Sequence, residues 1–378
     1  MEVEPHLLSA KWKIGWGFSA KCNMNCDFCY SRNLRTQFSR TSLELEMALN
    51  FIERNHDRIN AINFGLGENT LEELWWILIE RIRKKFPHIS QGITTNGNLS
   101  VEVANDDNKK KVLKEAIDEV DVSIDFGTSK EHNRSRNHVK AFNWAIETLR
   151  LCSDCNIDKT VVMVAMKDTF KEDNLKSIIN IVKRHDANLR INIYRPIEQG
   201  KIGSMIDPIE FYKGLELLLK ELRVHCLSDP LISAIMGEKK YRGDFSGIAS
   251  LRILDNGSIT PSTYLLDERW IAGNIYRDSD LHIDKIKDTP QFSMFSNVDP
   301  PEKCKPCKVV NYCRGGAFDR RILWYGTLDE RDPYCPEKAN FLNAIEAMKP
   351  LLTWAKNNSS FVHDGYLPTL IFSGEKEE

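Results

Sequence analysis

The chain has 378 residues, 42% of them apolar, which is enough for one large domain and a smaller one with a substantial core. Its formal net charge of −2 gives no global positive field for nucleic acid, and no run of about 18 apolar residues indicates a membrane span. No signal peptide is visible, so the ten cysteines indicate metal binding in a reducing cytoplasm and not disulfide bonds.

Strand-like and helix-like segments alternate through the first two thirds of the chain. The predicted strands lie at residues 12–18, 61–65, 92–97, 121–125, 160–166 and 189–194. The predicted helices lie at residues 42–58, 71–86, 109–119, 139–151 and 175–185. Short connections between such segments require parallel strands, because each return passes through a crossover helix. The sequence therefore predicts an α/β fold with a barrel or open barrel, whose functional residues lie at the carboxyl ends of the strands.

The pattern changes after Pro196. A further helix is predicted at residues 211–224, just after Pro208. Residues 249–254 predict a strand, and residues 255–258 predict the turn of a hairpin.

Three cysteines, Cys22, Cys26 and Cys29, follow the first predicted strand with the spacing C-x3-C-x2-C. Thiolates are the ligands of four-iron, four-sulfur clusters, so three of them can hold such a cluster and leave its fourth iron without a protein ligand. An open iron can bind a small molecule and pass it an electron. The alternatives are a zinc site or three buried thiols, but zinc motifs combine C-x2-C or C-x4-C with a second pair downstream.

The triplet resembles the CxxxCxφC signature of the radical SAM superfamily, in which φ is aromatic and is Phe28 here. The resemblance implies a partial (β/α)6 TIM-like barrel. It also implies that S-adenosylmethionine (SAM) chelates the open iron through its amino and carboxylate groups. Reductive cleavage of SAM would then give a 5′-deoxyadenosyl radical that abstracts a substrate hydrogen, while the protein binds and orients the reactants.

The end of the second predicted strand resembles the family's GGE motif. It reads Gly65-Leu66-Gly67-Glu68, with Leu66 inserted between the glycines. Glycines let a ligand approach the backbone closely, and a carboxylate after them can pair with an ammonium group. The resemblance implies that this motif holds the amino group of SAM.

The end of the fourth predicted strand offers further SAM contacts. Ser123 and Asp125 share a side-chain direction in a strand, so both are candidates for the ribose hydroxyls. Residues 132–136 resemble the family's HD..R segment, which makes Arg136 the candidate for the SAM carboxylate, with Arg134 in competition. The complete set of candidate SAM contacts is Phe28, Gly65, Gly67, Glu68, Asn96, Ser123, Asp125 and Arg136.

A second cysteine set lies near the C-terminus. Cys304, Cys307 and Cys313 have the spacing C-x2-C-x5-C, and Cys335 follows after 21 residues. Four thiolates can close an iron–sulfur cluster completely, and a four-cysteine zinc ribbon is the alternative. The segment resembles the SPASM extension of radical SAM enzymes, whose tail reads C-x2-C-x5-C-x3-C and then a final cysteine.

The chain departs from the SPASM pattern at two positions, where it has Ser262 and Ala317, and it has no cysteine 9–15 residues before Gly257. In the family the missing positions ligate a first auxiliary cluster, so one auxiliary cluster is expected, which makes two [4Fe-4S] clusters in all. The remaining cysteines, Cys152, Cys155 and Cys226, are interpreted as ordinary thiols.

The predicted organisation follows from these segments. It consists of an N-terminal extension at 1–10, a radical SAM partial barrel at 11–205, a helical linker at 206–245, a small α+β SPASM-like auxiliary iron–sulfur domain at 246–345, and a C-terminal helix and tail at 346–378.

The resemblance favours a cytoplasmic radical SAM enzyme that modifies a ribosomally synthesised precursor peptide by crosslinking, epimerisation or backbone excision. A flavodoxin- or ferredoxin-type reductant is the expected electron source. Only about ten residues precede the first strand, so a leader-binding function is expected in a separate protein. The alternatives are a radical SAM dehydrogenase or tailoring enzyme on a small molecule, and a non-enzymatic zinc or iron–sulfur binding module. Neither a nucleic-acid partner nor a membrane is expected.

Overall fold

The computed structural model describes residues 11–197, 203–238, 243–296, 298–337, 341–356, 362–364 and 366–374. The predicted N-terminal extension and the last four residues of the predicted tail lie outside the described residues. No helix in the described ranges is long and apolar enough to cross a membrane.

The strands of the described residues form one sheet. They are β1 (Trp12–Trp16), β2 (Ile59–Phe64), β3 (Ser90–Thr95), β4 (Glu119–Ser123), β5 (Asp158–Ala165), β6 (Asn188–Ile193), β7 (Arg223–Leu227), β8 (Ser250–Ile253), β9 (Ser258–Thr260), β10 (Gly273–Asn274) and β11 (Leu370–Ser373). Their order is β10-β9-β8-β1-β2-β3-β4-β5-β6-β11-β7. Each of β1 to β6 is parallel to its neighbour, and β8 is parallel to β1 on the other side. The predicted α/β fold with a six-stranded parallel partial barrel is confirmed.

Helices connect the parallel strands and cover the sheet. The α-helices are α1 (Ser42–Asn55), α2 (Glu73–Lys85), α3 (Asn98–Val103), α4 (Asp107–Ala116), α5 (Ser129–Arg136), α6 (Ala141–Cys155), α7 (Glu172–His185), α8 (Pro208–Glu221), α9 (Pro230–Ile235), α10 (Pro290–Ser296), α11 (Val310–Cys313), α12 (Phe318–Tyr325) and α13 (Leu342–Met348). The predicted helices of the first two thirds are present, with ends that differ by a few residues.

Aromatic packing fixes the first two strands against their helices. Trp16 on β1 stacks on Phe64 of β2 with ring centroids 6.2 Å apart, and it meets Phe51 of α1 edge-on at 6.3 Å. Trp75 of α2 packs against Phe64 at 5.8 Å. Parallel strands covered by helices bury apolar side chains in this way, and the loops at their carboxyl ends then start from a rigid base.

The hairpin predicted at residues 249–258 is confirmed. β8 and β9 pair antiparallel, and Gly257 in their turn has a φ of 83°, a conformation that favours glycine. Because β8 also pairs with β1, the sheet continues across the predicted boundary between residues 245 and 246. The division of the chain into domains stays a prediction.

Two segments differ from the sequence predictions. The helix predicted at 211–224 ends at Glu221, and β7 follows inside the segment predicted as a helical linker. The predicted C-terminal helix and tail contains β11, which lies between β6 and β7. Its residues Leu370, Ile371 and Phe372 are fully buried. So short an apolar run carries no clear periodicity, and its burial between two strands is a long-range effect.

Candidate active site

One cavity opens at the carboxyl ends of the parallel strands. The residues predicted from sequence that line it are Cys22, Cys26, Phe28, Cys29, Gly65, Gly67, Asn96, Ser123 and Arg136. They come from the loop after β1, from the residues that follow β2 and β3, from the end of β4 and from α5. Two predicted contacts, Glu68 and Asp125, do not line the cavity, and both are 0% exposed. Parallel strands bring their carboxyl ends to one face, which explains why distant motifs meet here.

Each sulfur of the N-terminal cysteine triplet has a polar neighbour. The distances are 3.8 Å from Asn96 Nδ2 to Cys22 Sγ, 3.9 Å from Arg136 Nη1 to Cys26 Sγ, and 3.4 Å from Ser31 Oγ to Cys29 Sγ. Hydrogen bonds to ligand sulfur stabilise thiolate charge and tune a bound metal cluster. Each candidate ligand sulfur of the triplet therefore has a polar contact of the kind that accompanies metal ligation.

Burial and charge act in opposite directions on these thiols. Burial raises the pKa of Cys22 to about 11. Burial also raises the pKa of Cys29, but hydrogen bonds from Ser31 and the positive charge of Arg35 outweigh it, so the pKa is lowered overall. Arg35 also donates a hydrogen bond to the carbonyl oxygen of Met24, inside the same loop. The loop thus holds a cation where thiolate ligands would concentrate negative charge.

The Gly65-Leu66-Gly67 turn packs against the cysteine loop. Gly67 has a φ of 61°, and a Cβ atom there would lie 2.4 Å from the carbonyl oxygen of Lys21. The backbone N–H of Glu68 donates to that oxygen at 2.6 Å. The close approach that glycine permits at Gly67 is therefore made by the protein's own backbone, which couples the turn after β2 to the position of the cysteines.

Glu68 stabilises the turn after β3 from behind the cavity. Its carboxylate accepts hydrogen bonds from Asn96 N at 2.7 Å, Thr70 Oγ1 at 2.8 Å and Thr95 Oγ1 at 3.0 Å. Burial raises its pKa to about 7, against the lowering effect of these donors. The carboxylate thus positions Asn96, and the direct contact of Glu68 with SAM stays a prediction.

Arg136 is the guanidinium near the cysteines, and Arg134 is exposed. Arg136 forms an ion pair with Asp125, lies 5.1 Å above the Phe28 ring, and keeps a buried Nε without a partner. Because β4 ends at Ser123, the strand alternation does not extend to Asp125, which turns away from the cavity to hold Arg136. Of the two candidate arginines, Arg136 therefore lines the cavity and Arg134 does not.

A second cavity gathers the C-terminal cysteines. Cys304, Cys307, Cys313 and Cys335 all line it, although Cys335 is separated from the others in sequence. Burial raises the pKa of Cys313 well above its ordinary value. Among the described residues, no three cysteine sulfurs lie within 4.8 Å of one another. Four thiolates can hold either an iron–sulfur cluster or a zinc ion, so the auxiliary cluster stays a prediction.

Ser262 and Ala317, which stand where the SPASM pattern has cysteines, form hydrogen bonds with other protein groups. Ser262 Oγ donates to Asp319 at 3.1 Å, and Asp319 also pairs with Arg195 at 3.1 Å. The backbone N–H of Ala317 donates to Asp332 at 3.0 Å. Buried polar groups with such partners are satisfied without a metal ligand.

The three remaining cysteines lie away from both cavities. Cys152 and Cys155 belong to the apolar core beneath α6, and burial raises the pKa of Cys152 to about 12. Cys226 on β7 lies 3.3 Å from a carboxylate oxygen of Asp364. Buried thiols of this kind are unreactive, in agreement with the sequence interpretation.

Three buried side chains of types that can bind metal ions lie close together beneath the first cavity. Ligand atoms of Glu119, Asp121 and His363 lie within 4.8 Å of one another. Arg190 Nη2 is 3.0 Å from Asp121 and already supplies a positive charge. His363 Nε2 is 3.0 Å from the same carboxylate, and burial lowers the pKa of His363 to about 3. We interpret this group as a polar network that anchors the C-terminal segment under the barrel.

Sequence reasoning missed several cavity residues. Arg252, His363 and Tyr366 line the cavity but come from β8 and the C-terminal segment, where no motif is present. The one available signal was an arginine between Leu251 and Ile253 in a predicted strand. A lone charge in an apolar strand indicates a buried partner or a functional site.

The radical SAM superfamily pattern matches this chain over residues 16–179. No curated protein is significantly similar in sequence. Among solved structures, anSMEcpe with bound AdoMet (SAM) has a TM-score of 0.71 at 20% identity, covering 89% of this chain and 98% of that chain. The same protein with bound AdoMet and Kp18Cys peptide gives 0.69 at 20% identity, with coverage of 89% and 98%. SuiB of Streptococcus suis bound to precursor peptide SuiA gives 0.67 at 15% identity, with coverage of 86% and 76%.

These TM-scores establish a shared fold, and the family match covers the cysteine triplet and the strands that surround it. Residues 16–179 therefore form a radical SAM domain, the domain of a class of enzymes that use SAM and a [4Fe-4S] cluster.

Proposed function

We propose that the enzyme reductively cleaves SAM at a cluster held by Cys22, Cys26 and Cys29 and modifies a ribosomally synthesised precursor peptide. The observation that carries this proposal is the meeting of the three cysteines with Arg136 and Asn96 around one cavity. The residues fit the group that the family implies, because three thiols, a nearby cation and partnerless buried donors converge there. When bound, the cluster supplies the electron that cleaves SAM to a radical able to abstract a substrate hydrogen.

The chain's own residues bind and orient SAM. Arg136 Nε is a buried donor available to the SAM carboxylate, while Asp125 holds the guanidinium in place. Ser123 and Asn96 offer polar groups from neighbouring strand ends. Gly65 lines the cavity, and a Cβ atom built there would make ordinary van der Waals contact with Thr94 at 3.6 Å. Phe28 covers the face of Arg136 and excludes water from it.

The second cysteine set is proposed to hold one auxiliary [4Fe-4S] cluster. Cys304, Cys307, Cys313 and Cys335 would ligate all four irons, so this cluster would not chelate substrate without losing a ligand. Electron transfer and stabilisation of the C-terminal region are the roles that a closed cluster can serve. The presence of the four cysteines around one cavity and the satisfied environment of Ser262 both support this assignment.

A peptide substrate is favoured by the neighbouring structures, two of which contain a peptide. The proposal includes a flavodoxin- or ferredoxin-type reductant and a separate leader-binding protein. The direct test incubates the reconstituted enzyme with reductant, SAM and candidate precursor peptides under anaerobic conditions, with mass spectrometry as the readout. A mass change that requires both SAM and reductant supports the proposal. SAM cleavage with no change in any peptide, together with turnover of a small molecule, would contradict the peptide assignment.

Arg136→Gln should raise the Kd for SAM about ten- to a hundredfold, because a charge-assisted hydrogen bond contributes about 1.5–3 kcal/mol. Iron and sulfide content should not change. Arg134→Gln is the matched control, since it removes the same charge from an exposed position two residues away. Arg136→Gln alone leaves the buried carboxylate of Asp125 without its ion-pair partner. The double variant Arg136→Gln/Asp125→Asn removes that unpaired charge. Equal Kd values for the Arg136 and Arg134 variants would contradict the assignment.

Glu68→Gln should change how folding stability depends on pH. Because the folded-state pKa of Glu68 is raised from 4.5 to about 7, its stabilising contribution is present below pH 4.5 and is lost as the pH rises through 7. The stability of the wild type relative to the variant should therefore fall by about 3 kcal/mol between pH 4.5 and 8. Anaerobic urea unfolding of both cluster-loaded proteins at several pH values measures this difference. A pH-independent difference would mean that folding does not change the pKa of Glu68.

A further inference from the structure

The first cavity is lined by cations and by no acidic residue. Its arginines are Arg35, Arg136, Arg190, Arg195 and Arg252, and none of the residues that line it is Asp or Glu. Three of them pair with a carboxylate, and a fourth, Arg35, interacts with the Cys29 thiol. The carboxylate pairs are Arg136 with Asp125, Arg190 with Asp121, and Arg195 with Asp319. Within the described part of the chain, Arg252 has no carboxylate partner.

The side chain of Arg252 extends into the cavity across Gly15, where no neighbouring side chain blocks it. The two residues are aligned in the pairing of β8 with β1. A Cβ atom on Gly15 would lie 2.8 Å from Arg252 Nη1 and would overlap the hydroxyl of Tyr366. The absence of a side chain on β1 therefore makes room for the guanidinium and the phenol inside the barrel.

The contacts of Arg252 are neutral. Nη2 donates to the carbonyl oxygen of Gly65 at 2.6 Å and to Tyr30 Oη at 3.4 Å, and Nη1 donates to Tyr366 Oη at 3.2 Å. Nε has no partner, although the residue is only 2% exposed. An arginine keeps its charge when buried, so these acceptors orient the guanidinium without neutralising it.

A buried, uncompensated cation is costly, and a native site that keeps one is prepared for an anion. The planar guanidinium fork matches a carboxylate, which can accept two parallel hydrogen bonds. The hydroxyls of Tyr30 and Tyr366 lie beside it and can donate further bonds once an acceptor arrives.

We propose that Arg252, with the hydroxyls of Tyr30 and Tyr366, binds a carboxylate group of the substrate. This inference rests on the proposed function, since it narrows the peptide substrate to one that presents an acidic side chain to the cavity. The carboxylate of SAM is the other source of the same chemistry. Arg136, beside Cys26, is the residue assigned to that group, which leaves Arg252 for the substrate.

The test uses the cluster-loaded enzyme saturated with SAM and two blocked pentapeptides, acetyl-Ala-Ala-Glu-Ala-Ala-amide and its Gln analogue. Titration calorimetry should show that the wild type binds the Glu peptide at least about tenfold more tightly than the Gln peptide. Arg252→Gln should abolish this preference and leave the Kd for SAM within about twofold of the wild-type value. Arg134→Gln, the exposed control, should keep both properties.

Three results would overturn the proposal. The first is equal binding of the two peptides by the wild type, and the second is an unchanged preference for the Glu peptide in Arg252→Gln. The third is a tenfold or larger loss of SAM affinity in Arg252→Gln, which would assign the guanidinium to SAM. If Arg252→Gln does not fold, Tyr366→Phe serves instead, since it removes a hydroxyl beside the guanidinium and should weaken the Glu preference. Unchanged preference in that variant would also overturn the proposal. Because the assay measures binding, a failure of SAM cleavage would contradict the proposed function alone.

Discussion

Replacing Cys22, Cys26 and Cys29 together with Ala should reduce 5′-deoxyadenosine formation to the background without enzyme. The three thiols are the proposed ligands of the SAM-binding cluster, and without them neither the cluster nor the open iron is present. About four irons and four sulfides per chain should be lost at the same time, while the C-terminal cysteines keep theirs. Liquid chromatography of anaerobic reactions with dithionite measures the nucleoside, and colorimetric analysis measures iron and sulfide.

The matched control replaces Cys152, Cys155 and Cys226 with Ala. It removes the same number of thiols from positions outside both cavities. This variant should retain both clusters and SAM cleavage, although truncation of buried Cys152 lowers stability somewhat. Retained 5′-deoxyadenosine formation in the first variant would show that another site cleaves SAM.

Cys307→Ala should abolish product formation while leaving uncoupled SAM cleavage in the soluble protein. Cys307 is half-buried and lines the second cavity with three other cysteines. Removing it leaves the proposed auxiliary cluster with three ligands, so that cluster should be lost or should become labile. The substitution leaves Cys22, Cys26 and Cys29 at the first cavity unchanged.

Measurement of both products in one reaction distinguishes the outcomes. 5′-Deoxyadenosine without modified peptide is the expected result for Cys307→Ala. Full peptide modification by this variant would show that the second site is structural only. Zinc bound by the four C-terminal cysteines of the wild type would contradict the auxiliary cluster itself.

The parts of the site that depend on local sequence could be predicted. Spacing alone identified Cys22, Cys26 and Cys29, because ligand type and separation along the chain define a cluster motif. Alternating strand and helix patterns then placed that motif at the carboxyl ends of parallel strands. Arg136 was one of two candidates, and only the orientation of α5 distinguished it from Arg134.

Long-range relations could not be predicted. Arg252 becomes a cavity residue through the pairing of β8 with β1 and the open space above Gly15, which no local pattern encodes. β11 is recognisable only when β6 and β7 lie on either side of it. The surroundings of Glu68 are also set by distant residues, because its carboxylate accepts hydrogen bonds from Thr70 after β2 and from Thr95 and Asn96 at the end of β3. Its contact with SAM stays a prediction.

Metal and sulfide analysis of the anaerobically purified wild-type chain tests the central claim most directly. A radical SAM enzyme with one auxiliary cluster should contain about eight irons and eight acid-labile sulfides per chain, with little zinc. Stoichiometric zinc without sulfide would contradict both clusters and the enzymatic mechanism built on the first of them.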